Sequence, residues 1–329
     1  MEDWLAARDV AAAAVLVTVA AVKGSVPREP GARMLVRADH FAGTIGGGHF
    51  EHRALDIARA MLQSGEARRY ERFALGPSLG QCCGGVAWLA FECAASEQLD
   101  ILRARRHLDT WRLVALDGVS EWRLLDDAGR HLAGASDTPS FAPTLETSVV
   151  EGEGARRWLF DAVLAPRDHL MLFGAGHVGA AIVRALVPLP CRVTWVDERD
   201  AMFPAEIPAN VTIEATDTPE ALVARAAHGT SFLVMTHSHA LDLRLCQAIL
   251  SRPSRDWFGL IGSDTKRMQF EARLCERGID ATRIGDMVCP IGLPGIEGKA
   301  PAVIAASVAA QLLSVWQAAH HPELQPEFT

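Results

Sequence analysis

A surplus of positive charge is missing from this chain. Its 329 residues hold 32 Lys and Arg against 40 Asp and Glu, a formal net charge of −8. A general nucleic-acid binder needs a basic face to neutralise phosphates, so no nucleic-acid partner is expected. A small anion remains compatible, because a nest of backbone N–H groups can hold one on an acidic protein. A targeting segment is also missing. The first apolar run, Val10–Val22, is 13 residues long. That is short of the roughly 20 needed to span a bilayer, and it has neither a basic start nor a small-residue cleavage pattern. The expectation is a cytoplasmic protein with no membrane partner. A disulfide framework is absent too: seven scattered cysteines are an odd number, and a core this large needs no staples. No C-x-x-C pair stands at zinc-ligand spacing. There is no internal repeat and no low-complexity tract.

What is present is a globular α/β pattern with 49% hydrophobic residues. The spacing predicts three parts. Residues 1–100 read as a small α/β domain, with strands over Ala13–Val22, Met34–Arg37, Arg69–Leu75 and Val86–Cys93. A helix over Phe50–Gln63 follows a glycine cluster and is closed by Gly65. Residues 101–166 read as a strand-rich connecting segment. Residues 167–329 alternate strand and helix, the pattern of a Rossmann-like doubly wound parallel sheet.

Four local features carry chemistry. Gly174-Ala175-Gly176-His177-Val178-Gly179 follows an apolar strand and opens an amphipathic helix, and the next strand ends in Asp197. That context is what a dinucleotide fingerprint requires. Gly174 permits the turn, Gly176 lets a phosphate approach, Gly179 lets helix and strand pack, and Asp197 suits a ribose diol. An NAD(P)-dependent oxidoreductase is therefore one reading, although no acid–base set for hydride transfer stands in matching positions. The second feature is Gly46-Gly47-Gly48 before the first helix. Three successive glycines are costly unless backbone must approach a ligand or adopt positive φ. The third is Gln81-Cys82-Cys83-Gly84-Gly85. Adjacent cysteines are poor disulfide partners, whereas approachable thiolates bind soft metals and accept sulfur. The fourth lies at the ends of later strands: His237 and His239, and Ser263 with Lys266 and Arg267 at a helix start. Ser and two cations there suit an anion, and they oppose the helix dipole unless something negative lies near. Each feature also has a plainer reading as a turn, a cap or a buried thiol.

Taken together, these motifs make the chain similar to the XdhC/CoxI family of xanthine dehydrogenase accessory proteins. The resemblance rests on Gly24–Val36, which includes Arg28 and Arg33, and on Gly43–Glu51 and Gly80–Gly85. In the second half it rests on Gly174–Gly179, Val234–Asp242, Gly259–Ser263 with Lys266-Arg267, and Pro290–Leu293. It departs at Val26, where relatives carry a small polar residue. The resemblance implies a chaperone rather than an enzyme. Such a protein binds molybdopterin, protects it while a cysteine desulfurase supplies the sulfido ligand, and inserts it into the large subunit of a xanthine dehydrogenase-type hydroxylase. It implies cofactor contacts at Arg28, Gly46, Gly47, Gly48, Gln81, Cys82 and Cys83. In the Rossmann half it implies contacts at Gly174, Gly176, Gly179, Asp197, His237, His239, Ser263 and Lys266. A homodimer is compatible with the sequence, but no heptad marks an interface.

Overall fold

A computed structural model describes residues 4–5, 13–76, 84–136, 144–152 and 155–320. The chain divides into two compact units, Glu2–Ala165 and Pro166–Thr329.

The first unit begins with β1 (Ala14–Lys23), β2 (Arg33–Val36) and β3 (Phe41–Gly43). Then come α1 (Gly48–Ser64), β4 (Arg68–Ala74), β5 (Val86–Ala94) and α2 (Ser96–Ala104). The five strands form one antiparallel sheet ordered β3-β2-β1-β5-β4. A second antiparallel sheet, ordered β8-β7-β6-β10-β9, follows. Its strands are β6 (Thr110–Ala115), β7 (Trp122–Leu125), β8 (His131–Gly134), β9 (Ser148–Glu151) and β10 (Arg157–Val163). Residues 101–166 are thus half of this unit's core rather than a separate connector.

β1 shows why. Successive strand side chains point to opposite faces. Val15, Val17 and Val19 pack with Phe50, Ala54, Ala58 and Met61 of α1. Leu16 packs with Leu124, and Ala20 with Val114 and Leu159, all from the second sheet. A strand covered on both sides has no wet face, so its sequence is a continuous apolar run. Helix α1 ends where Gly65 takes φ 72° and returns its N–H to Met61 O at 2.9 Å, the left-handed cap its position predicts.

Between the sheets lies a buried charge network. Asp161 of β10 accepts from both Nε and Nη2 of Arg33 (β2), from Nη1 of Arg112 (β6) at 2.6 Å and from the Thr147 hydroxyl at 3.0 Å. Arg112 also pairs with Glu92 of β5, whose other oxygen accepts from Gln98 at 3.2 Å. Arg33, part of the Gly24–Val36 stretch that carries the resemblance, is consumed here as a structural cation.

The second unit runs β11 (Asp168–Phe173), α3 (His177–Leu186), β12 (Cys191–Asp197), β13 (Val211–Ala215) and α4 (Pro219–Arg225). It continues with β14 (Thr230–Val234), α5 (His239–Leu250), β15 (Phe258–Leu260), α6 (Asp264–Glu276), α7 (Ala281–Gly285), β16 (Met287–Val288) and α8 (Pro301–His320). Its sheet is parallel throughout, ordered β13-β12-β11-β14-β15-β16. This is the 3-2-1-4-5-6 order of a Rossmann fold, with the direction of winding reversing beside β11. Helix α8 is long and apolar enough to cross a membrane by length and composition. Its stripe Ala305, Val308, Leu312 and Trp316 nevertheless packs into the sheet-and-α3 core, and the Trp316 indole N–H donates to Ser231 Oγ at 3.0 Å. The Gly292 loop is pinned to the same helix by Gln311 and Ser307.

His169 on β11 sits between the hydroxyls of Thr194 (2.8 Å) and Thr230 (3.4 Å). Burial, reinforced by Arg192, pulls its pKa down to about 4. The unfolded chain therefore binds a proton that the folded chain refuses between about pH 6.5 and pH 4. Stability from this residue is full above pH 6.5 and is lost as pH falls through that window, by about 2 kcal/mol once solvent exposure is allowed for. Melting temperatures of wild type and His169→Gln, measured from pH 7 to pH 4, should converge as the pH falls. Parallel curves would contradict this assignment.

Candidate functional site

The glycine cluster forms an N–H nest in front of α1. Gly46, Gly47 and Gly48 all have positive φ (122°, 74° and 65°), which explains why side chains are excluded there. The N–H groups of Ile45 (3.0 Å) and Gly47 (3.2 Å) donate to Glu51 Oε2, as does the Thr44 hydroxyl. Glu51 lies in the first turn of the helix, where the dipole favours a carboxylate. The nest therefore already holds an anion, supplied by the chain. Gly46 is packed against Pro27 and Arg28, whereas nothing lies within 4 Å of where a Cβ on Gly47 would stand. Arg28 itself pairs with Glu29 at 3.1 Å. Gln81, Cys82 and Cys83 lie outside the described residues.

In the second unit, the Gly174 turn stands at the carboxyl end of β11. Gly174 N–H donates to Val196 O at 2.8 Å, and the Trp195 indole donates back to Gly174 O at 3.0 Å. Gly174 (φ 122°) leaves no room for a Cβ beside Met235 O, and Gly179 leaves none beside Gly174 O. At Gly176 a Cβ would meet open space. A recess enclosing about 240 Å3, open solvent included, is lined here by Gly174, Asp197, Glu198, Pro219, Thr236 and His237, among others. The structure thus brings Gly174, Asp197 and His237 together. Asp197 is saturated. Its carboxylate accepts from Ala175 N–H (2.7 Å), Arg199 N–H (3.0 Å), and Arg199 Nε (2.9 Å) and Nη2 (3.0 Å). Burial raises its pKa, but these donors outweigh burial and the net direction is down. His237 Nε2 meets Glu198 at 3.2 Å.

One strand further along, Lys266 donates to Asp242 (2.7 Å) and to Ile261 O (2.9 Å). Asp242, fully buried, also accepts from the N–H and hydroxyl of Thr236 at 3.0 and 2.7 Å. Arg267 pairs with Glu271 at 2.7 Å. The negative charges that the two cations seemed to call for are therefore side chains of this unit. Ser263 and Ser238 are N-caps, accepting from Lys266 N and Leu241 N. His239 begins α5 with its ring edge-on to Phe270. Among the described residues, no group of three or more His, Cys, Asp or Glu is arranged to hold a metal ion. The sequence motifs include Glu51 without a role for it and do not include Glu198 or Arg199. The available signal was an acid in the first turn behind three glycines, and an Arg two residues past the strand-end Asp.

The strand order, the glycine turn and the recess beside β11 define a Rossmann domain, preceded by an antiparallel α/β unit with its own N–H nest. Family models match both: the XdhC and CoxI family over residues 7–74, and the XdhC Rossmann domain over residues 170–312. The chain belongs to the XdhC family. An Escherichia coli K12 protein, described as uncharacterized protein YqeB, is 28% identical over 163 residues. That match covers 49% of this chain and only 30% of the relative's length. A solved structure from Bacillus halodurans, described as a xanthine dehydrogenase, superimposes with a TM-score of 0.70 at 21% identity. It covers 95% of this chain and 94% of that one, and shows a shared fold.

Proposed function

We propose that this chain is a non-enzymatic carrier of the molybdenum cofactor. It holds molybdopterin during sulfuration and delivers it to a xanthine dehydrogenase-type hydroxylase. Family membership in both units supports a maturation role. The observation that carries the cofactor reading is the nest at α1, whose donors converge on one carboxylate oxygen. Donors so aimed suit a phosphate oxygen equally well, and the open space above Gly47 gives such a group access. Gly46, Gly47, Gly48 and Arg28 would hold the phosphate. Cys82 and Cys83 would hold the metal, because thiolates are soft ligands, and Gln81 would contact the cofactor. When bound, the cofactor supplies a dithiolene-held molybdenum that accepts sulfur. The protein's own tasks are to grip the phosphate, to hold the metal and to meet its partners. Those partners are the hydroxylase large subunit and a cysteine desulfurase.

The test is pterin content after purification from a cofactor-producing host. Oxidised extracts of wild type should fluoresce as pterin at near-equimolar yield. The Cys82→Ser/Cys83→Ser variant should lose at least about tenfold, roughly 1.4 kcal/mol of binding, with its melting temperature unchanged. Wild type without pterin, or equal retention by the variant, would end this reading.

A further inference from the structure

The second unit's strand order and glycine turn imply a dinucleotide, and its residues can be tested for fit. In such folds the acid ending the second strand accepts hydrogen bonds from the two ribose hydroxyls. Asp197 occupies that place. An ionised carboxylate offers about four lone-pair sites, and four donors already fill them: Ala175 N–H, Arg199 N–H, and Arg199 Nε and Nη2. Two of the four come from one guanidinium fork, the charge-assisted geometry that outcompetes a neutral hydroxyl. The Ala175 N–H belongs to the glycine turn itself, so a donor that would face a pyrophosphate is committed as well. Across the mouth, Glu198 and His237 pair at 3.2 Å. With open solvent excluded, the recess has a cavity volume of about 10 Å3, far below the roughly 300–1,000 Å3 of sites that bury a drug-sized ligand, and a dinucleotide is larger still.

We infer that Arg199 is a specificity-determining residue that closes the Rossmann recess to ligands presenting a free ribose diol, the NAD(H) class. The fold is retained, but its ribose acceptor is spent internally. Arg199 is 39% exposed on a turn beyond β12, so its removal frees Asp197 without opening the core. This inference is independent of the carrier reading. It concerns a nucleotide in the second unit, and the pterin assay is indifferent to its outcome.

The experiment is an NADH titration of the full-length protein, followed by nicotinamide fluorescence and calorimetry. Wild type should show no saturation up to about 1 mM. Arg199→Ala should bind at least about tenfold more tightly than wild type, and Asp197→Asn/Arg199→Ala should lose that gain. Arg199→Lys keeps the charge but cannot form the fork, so it should move in the same direction as Arg199→Ala. Melting curves establish that each variant is folded, and Arg199→Lys serves if Arg199→Ala is not. Micromolar NADH binding by wild type would overturn the inference. So would unchanged binding in a folded Arg199 variant, or a gain that survives loss of the Asp197 carboxylate.

Discussion

Replacing Asp161 with asparagine should lower the stability of the first unit by about 3–5 kcal/mol, the usual cost of breaking a buried ion pair from one side. Asp161 is fully buried between two guanidinium groups, those of Arg33 and Arg112, with Thr147 completing its shell. Asparagine keeps the shape but takes the carboxylate from Arg33 and leaves Arg112 paired with Glu92 alone. Burial pushes the Asp161 carboxyl up, yet Arg33 and Arg112 outweigh it and the net shift is down. A carboxylate with a depressed folded pKa stabilises above its unfolded value of 3.8 and loses that contribution as pH falls through the lower folded value. Glu92 works in the opposite sense, because burial raises its pKa despite Arg112. Denaturant melts of wild type and Asp161→Asn at pH 7 give the number directly. A deficit under about 1 kcal/mol would mean that the network contributes no more than a surface pair.

The second large effect is expected inside the glycine motif, and it should be unequal across its members. Gly179→Ala should cost about 3 kcal/mol, the upper end for overpacking. The added methyl would stand against the backbone oxygen of Gly174, which is itself fixed by the Trp195 indole and by Val196. Neither can yield by turning a side chain. Gly176→Ala meets nothing within 4 Å and has an ordinary φ of −73°, so it should stay within about 0.5 kcal/mol of wild type. Thermal melts of the two variants, run side by side, separate packing from ligand access. Equal losses would show that the loop is held differently.

The parts of this architecture that were legible in the sequence are those fixed by local pattern. The run over β1, the amphipathic α1 with its Gly65 cap, and the strand–glycine–helix passage at Gly174 each state their form within about a dozen residues. β3 has no counterpart among the strands expected over residues 1–100, because so short a strand carries little periodicity and is specified by its neighbours. The role of residues 101–166 was hidden for a related reason. Their apolar faces match a partner sheet far away in sequence, and the packing of Leu16 with Leu124 and of Ala20 with Val114 and Leu159 reveals it. At the candidate sites, glycine positions were readable because backbone demands glycine there. Side-chain commitments were not. Nothing in the order Asp197-Glu198-Arg199 says that the arginine folds back, and nothing in Lys266 says that Asp242 awaits it.

The carboxylate of Glu51 lodged in its own glycine loop has a kinetic consequence. The loop is already assembled around this carboxylate, so docking of the proposed guest would exchange one oxyanion for another and demand little rearrangement of the main chain. The apparent affinity is then the intrinsic one divided by the grip of the resident side chain. The same group stands ready to retake its seat when the guest departs. Under the proposed carrier role, such a competitor would weaken the net hold on the cargo, because rebinding must again displace it.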